Sequence, residues 1–282
     1  SIRRRQRQMC IRDSIYMIPN YLQIRGIARS CGVKVIELPL HEELGWQWDI
    51  DELKSKISKK TKMIAVCHPN NPTGSIVSAD NMRSIIEIAS ENDCWILSDE
   101  VYRGAELNGI ESLSFYGSYE KTIVNAGLSK AYRLPGLRLG WTVGPRDYIK
   151  KAWAFHDYTS ISVAYHSDWV ASKILEKERR KAILDGTKKH LNENMNTLRE
   201  WVDSLDGKLS MSVPQAGAIA FVRIHMNESS KKLTYHIRDN FSVLLTAGEW
   251  FGLEGFLRFG YGSPNQYLSA ALERIGTSLK KI

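Results

Sequence analysis

From residue 15 to about residue 145 the chain alternates short, β-branched apolar runs with segments of helical period, and this alternation limits the fold more than any other feature. Val33–Leu40, Lys62–Cys67, Trp95–Ser98, Thr122–Ala126 and Leu139–Val143 read as strands. Most of the intervals between them are long enough for a crossover helix, so the strands are expected to run largely parallel with helices covering the sheet. Ser78 is placed to cap a helix whose Met82, Ile85, Ile86 and Ala89 form one buried stripe, and Asn92 and Asp93 stop it. Leu22–Ser30, ending before Gly32, and Asp51–Ser58 read as two further helices.

After about residue 165 the texture changes. Ser167–Glu178 and Arg179–Leu205 are polar and helix-rich, the second with Ile183, His190, Met195, Leu198 and Trp201 as inward positions. Short strands are expected at Met211–Val213, Ala218–Ile224, Val243–Thr246 and Phe256–Tyr261, with helices over Leu233–Asn240 and from Pro264 onward. The expected architecture is α/β: a large domain over 15–175 built on a mostly parallel sheet, and a smaller α+β domain over 176–282.

Charge narrows the partners. The formal net charge is +8, but residues 1–14, SIRRRQRQMCIRDS, hold five arginines and one aspartate and so carry half of it. That stretch reads as a basic arm outside the fold, disordered or foreign to it. Without it the excess asks for no polyanion, and no nucleic-acid or membrane partner is expected. Cys10, Cys31, Cys67 and Cys94 lack the spacing of a zinc site or a disulfide framework, so reduced, buried thiols in a cytoplasmic protein and no metal are expected. No apolar stretch approaches the length of a membrane span.

Four short segments hold the unusual residues, three of them at or just past the carboxyl ends of expected strands, where open α/β sheets bind ligands. They are His68-Pro69-Asn70-Asn71-Pro72-Thr73-Gly74, Ser98-Asp99-Glu100-Val101-Tyr102, Gly127-Leu128-Ser129-Lys130 with the run to Trp141, and Leu257-Arg258-Phe259-Gly260. Each alone has a plain structural explanation as a turn, a surface lysine or a strand-edge arginine. Together they match one chemistry, a Schiff base to pyridoxal 5'-phosphate. A shielded lysine attacks the aldehyde, a buried aspartate keeps the ring nitrogen protonated, and a phenol and an amide hold the ring oxygen O3'. One arginine and a hydroxyl suit the phosphate, and a second arginine suits an amino acid's carboxylate.

The motifs PNNPTG at 69–74, SDEVY at 98–102, SKAYRLPGLRLGW at 129–141 and LRFGYG at 257–262 resemble the class I/II aminotransferases, fold type I pyridoxal phosphate enzymes of the aspartate aminotransferase superfamily. The resemblance runs from about Ile15 to the C-terminus. It implies that Lys130 carries the cofactor, Asp99 pairs with the pyridine nitrogen, Asn71 and Tyr102 hold O3', and Ser129 and Arg138 bind the phosphate. It further implies that Arg258 binds the substrate α-carboxylate and that Tyr21 stacks on the cofactor ring, with amino acids and 2-oxo acids as substrates and a homodimer as the assembly. Two departures are visible. Gly127 stands where relatives often have a phosphate-binding serine, and nothing before Ile15 matches the family's first strand and phosphate-cradling loop, so the chain reads as N-terminally truncated.

The cofactor motifs do not decide which bond at Cα breaks, which leaves a lyase, cyclase or oxidase, or an inactive fragment, as alternatives to an aminotransferase. Between Arg146 and Arg179 there is no arginine for a second substrate carboxylate. HDYTSIS and LLTAGEWFGLEGFLRFGYG resemble the capreomycidine synthase-like branch, which acts on arginine-derived substrates; Asp157 or Asp168 is then expected to read a cationic side chain, unless each is a helix cap or a surface acid.

Overall fold

A computed structural model describes residues 13–281. In chain order its elements begin with β1 (Asp13–Ile18), α1 (Leu22–Ser30), β2 (Lys34–Pro39), α2 (Ile50–Lys56), β3 (Thr61–Cys67), α3 (Ala79–Glu91), β4 (Trp95–Asp99), β5 (Thr122–Gly127) and β6 (Gly140–Val143). There follow α4 (Arg146–His156), α5 (Tyr165–Ile174), α6 (Lys177–Asp203), β7 (Leu209–Met211), β8 (Ile219–Ile224), α7 (Ser230–Phe241), β9 (Thr246–Ala247), β10 (Phe256–Gly260) and α8 (Asn265–Leu279).

The first six strands form one sheet in the order β2-β1-β3-β4-β5-β6. All neighbours are parallel except β5 and β6, whose antiparallel pairing sets Gly127 opposite Gly140. The second sheet, β7-β8-β10-β9, is antiparallel and carries α6, α7 and α8. The expected fold class is therefore the observed one.

The expected helices and strands are found with ends moved by a few residues. Asp49 and Ser78 accept the N3 amides of α2 and α3 as capping residues. The buried stripe of α3 is Met82, Ile85, Ile88 and Ala89, so Ile88 takes the place expected for Ile86. β1 starts at Asp13, which brings two residues of the expected arm into the sheet; residues 1–12, with Cys10, lie outside the described chain. Cys31 is exposed in the turn after α1, a correction to the expectation of buried thiols, whereas Cys67 and Cys94 are buried. α4 has no counterpart among the expected helices.

Two cores interlock at the junction of the sheets. Phe221, Phe251 and Phe256 belong to the small sheet and its flanking turn but pack into the core beneath the large sheet. There Phe221 and Phe256 stack at 4.6 Å with Trp46 edge-on to both. Reciprocally, Leu128, Ala131 and Tyr132, around the expected catalytic lysine, pack with α6 and the small sheet. Groups contributed by the two sheets are thereby held at one place. No helix among the described residues is long and apolar enough to cross a membrane.

Candidate active site

At the carboxyl ends of β3, β4 and β5 lies a cavity of about 370 Å³. Its walls include all seven residues expected to hold the cofactor: Tyr21, Asn71, Asp99, Tyr102, Ser129, Lys130 and Arg138. The parallel register brings this about. Cys67 pairs with Asp99 and Asp99 with Asn125, so the loops that leave β3, β4 and β5 rise from one rim.

Asp99 ends β4, and its carboxylate accepts the Val101 amide at 3.3 Å. Burial lifts its pKa above the ordinary carboxylate value; the Val101 amide opposes this, Glu100 adds to it, and Lys130 opposes it. Among the described residues no cation stands within ion-pair distance of it. A half-buried acid in that position is matched to a cationic N–H donor. The Tyr102 ring lies 5.8 Å from Lys130 Nζ, and burial pushes its phenol well above the usual range. Its seat depends on Gly217, where φ is +85° and a Cβ would stand 3.1 Å from the Tyr102 ring.

Asn71 belongs to the loop after β3, which is fastened across to the small sheet's side. Gly74 O accepts the amides of Gln215 and Ala216, and a Cβ on Gly74 would lie 2.3 Å from Pro214 Cβ. Asn71 Oδ1 accepts from Arg258 Nη1 at 3.3 Å, which leaves its amide nitrogen as the donor for a ligand. Arg258, the expected carboxylate binder, is thus joined to the cavity wall through Asn71. Its Nη2 donates to Thr246 Oγ1 at 3.1 Å and its guanidinium lies 5.1 Å from the Phe251 ring. Burial depresses its pKa, with Tyr102 and Tyr21 acting the other way, and no carboxylate among the described residues pairs with it. A half-buried guanidinium without an acid partner is a site prepared for an anion.

Arg138 closes the turn Pro135–Leu137 in the left-handed region, at φ 48°, and donates to Pro135 O at 2.9 Å. Gly127, where relatives often carry a serine, faces Gly140 so closely that a Cβ would stand 3.1 Å from Leu139 O. Tyr21 is half exposed over the cavity, and its carbonyl accepts the hydroxyl of the fully buried Tyr16. Tyr16 therefore fixes Tyr21, a role hidden in an ordinary strand residue. Gln23 and Cys67 also line the cavity, and nothing in their sequence surroundings marks them. Asp157 and Asp168 are exposed, at the end of α4 and in the first turn of α5, and line no part of it.

The donor set of the cavity suits pyridoxal phosphate. The half-buried Asp99 carboxylate would suit a pyridinium, the Asn71 amide and Tyr102 phenol a ring oxygen, the Ser129 hydroxyl and Arg138 guanidinium a phosphate dianion, and the Lys130 amine a carbonyl carbon.

Residues 10–275 match the family model described as aminotransferase class I and II. The chain is 28% identical over 269 residues to aromatic-amino-acid aminotransferase 2 of Thermococcus litoralis, covering 93% of this chain and 69% of that protein. It is 26% identical over 267 residues to capreomycidine synthase of Streptomyces vinaceus, covering 95% of this chain and 68% of that one. A PLP-dependent aminotransferase from Streptococcus suis superposes with a TM-score of 0.89 at 31% identity, over 96% of this chain and 71% of that one. With the cavity at the strand ends of this fold, these likenesses make the chain a member of the class I and II aminotransferases, pyridoxal phosphate-dependent enzymes of fold type I that transfer amino groups.

Proposed function

We propose that the cavity between Tyr21 and Lys130 holds pyridoxal 5'-phosphate and that the chain moves an amino group there between an amino acid and a 2-oxo acid. What supports this most is the convergence of six motif residues and Tyr21 on one cavity at the strand ends. When bound, the cofactor supplies an electron sink next to the substrate Cα. Lys130 Nζ is the amine at the reacting carbon and, when free, carries the proton off Cα. Asp99 holds the ring nitrogen's proton, because a carboxylate raised by burial regains its charge most favourably opposite a cation. Asn71 and Tyr102 direct donors at O3', Ser129 and Arg138 engage the phosphate, and Tyr21 covers the ring face. Arg258 grips the α-carboxylate and so orients the Cα–H bond.

The chain is further proposed to self-associate as a homodimer. Trp153, Phe155, Tyr158, Tyr165 and Trp169 are all more than half exposed on α4, the turn after it and α5, an unusual density of aromatic surface.

Incubation with pyridoxal phosphate tests the assignment. A visible absorption band present in the wild type and lost in Lys130→Ala is expected, and no band from folded wild-type protein refutes it. Keto acid formation that requires an added 2-oxo acid distinguishes amino transfer from a lyase or oxidase reaction, which proceeds without one.

A further inference from the structure

Tyr261, just past the end of β10, is a phenol that the cofactor chemistry does not use. It is fully buried and walls no part of the cofactor cavity. Its hydroxyl donates to Gly217 O at 2.5 Å, the short end of the range for two oxygens. Burial, and after it the Tyr102 phenol, push its pKa well above the usual range, so the hydroxyl remains a donor throughout the neutral range. A phenylalanine would fill the same space, as Phe256 and Phe259 fill theirs nearby, so packing alone does not account for the hydroxyl.

Gly217 is where that hydroxyl meets the cofactor site. The Gly217 amide donates at 2.9 Å to the carbonyl of Ala105, three residues past Tyr102, and Leu107 N donates to Gln215 O at 2.9 Å. Segment 215–217 therefore runs beside the loop that leaves Tyr102, and Ala105 N closes that loop onto Tyr102 O at 3.0 Å. A Cβ on Gly217 would stand 3.1 Å from the Tyr102 ring, so the Gly217 backbone lies against the ring without slack.

Tyr261 is itself fixed independently of the Tyr102 loop. Its amide donates to Ala218 O at 2.9 Å, extending the ladder of β8 and β10, and its carbonyl accepts from Asn194 Nδ2 on α6 at 2.6 Å. The phenol is thus a post that stands on the small sheet and α6 and holds the Gly217 carbonyl at a set place.

Resting on the reading of Tyr102 as a donor to O3', we propose that Tyr261 is a positioning residue: through Gly217 O it fixes the backbone on which the Tyr102 ring rests and so aims the Tyr102 phenol at O3'. The sign of its effect follows from charge. O3' holds the proton of the Schiff base at Lys130, and a phenol donating to O3' draws negative charge off it and weakens that hold. With the phenol poorly aimed, the Schiff base keeps its proton to higher pH.

A pH titration of the visible absorption band of the pyridoxal phosphate-saturated protein tests this without turnover. The proteins compared are wild type, Tyr261→Phe, Tyr102→Phe and the double variant. Tyr261→Met also lacks the hydroxyl and fills the core differently, and Ile275→Val, in the same core on α8, controls for lost packing. Tyr261→Phe and Tyr261→Met should each raise the proton-binding constant of the Schiff base by about threefold, the scale of one neutral hydrogen bond weakened, and Tyr102→Phe by more. Ile275→Val should leave it unchanged. Added to Tyr102→Phe, Tyr261→Phe should have no further effect, because no phenol is left to aim. If Tyr102→Phe moves the titration and neither Tyr261 variant does, the positioning role is refuted and the assignment of Tyr102 stands. A similar rise in Ile275→Val, or a further rise in the double variant, would show general loosening and refutes it equally. If Tyr102→Phe leaves the titration unmoved, or the wild type gives no visible band, the assignment of Tyr102 or of the cofactor falls, and the role of Tyr261 with it.

Discussion

His68 opens the loop that carries Asn71, and its burial makes the stability of that loop depend on pH. The ring is fully buried; Nδ1 accepts the Val77 amide at 3.0 Å, so the proton resides on Nε2, which donates to Leu113 O at 2.8 Å. Burial depresses its pKa from 6.5 to about 4, the Leu113 carbonyl pulling the other way and Arg103 adding to the depression. A histidine that titrates lower in the folded than in the unfolded chain takes up protons on unfolding. Its stabilising effect is complete above pH 6.5 and is lost progressively as pH falls toward 4. The full loss is about 3 kcal/mol, of which about 2 kcal/mol falls between pH 7 and pH 5. His68→Gln keeps an N–H for Leu113 O and removes the titration, but it strands the Val77 amide at a cost of about 1–3 kcal/mol at pH 7. Urea unfolding of both proteins at the two pH values isolates the histidine, since other titrating groups cancel in the difference. The gap between wild type and variant should narrow by about 2 kcal/mol on going to pH 5. A gap that is the same at both values would refute the buried neutral ring.

Three other perturbations have calculable outcomes. Thr246→Val removes the acceptor that aims Arg258; KM for amino acids should rise about 3- to 10-fold with a smaller change in kcat, and Thr246→Ser should restore it in steady-state kinetics. Gly217→Ala puts a Cβ 3.1 Å from the Tyr102 ring at a left-handed φ, so pyridoxal phosphate affinity should fall severalfold in equilibrium dialysis, with about 1–2 kcal/mol lost from stability. Arg180 donates to both oxygens of Glu111, at 2.6 and 2.8 Å, and its bond holds the Glu111 carboxyl below the usual range. Both groups are partly exposed, so Arg180→Met should cost only about 1 kcal/mol at pH 7. A carboxylate depressed in the folded state stabilises above its unfolded pKa, so that deficit should vanish in thermal unfolding once pH falls through the folded value.

What could be read from the sequence, and what could not, divides along the physical origin of each feature. The strands β3 to β5 are legible because a buried parallel strand is an apolar, largely β-branched run whatever surrounds it. Most residues proposed to hold the cofactor are legible because they stand in short motifs at or just beyond a strand, and the parallel pairing of β3, β4 and β5 carries those strand ends to one rim without needing side-chain detail. α6 is a harder case. Met195 and Leu198 are buried as expected, but the rest of the stripe is Thr187, Leu191, Asn194 and Val202, while His190 and Trp201 are only half buried. Thr187 is buried because its hydroxyl donates to Ala131 O behind the lysine, and Asn194 because its amide donates to Tyr261 O and Ser263 O. A hydrophobic period cannot find polar residues whose burial depends on partners that are distant in sequence. The same limit hides Tyr16, whose hydroxyl fixes Tyr21 through a carbonyl five residues on.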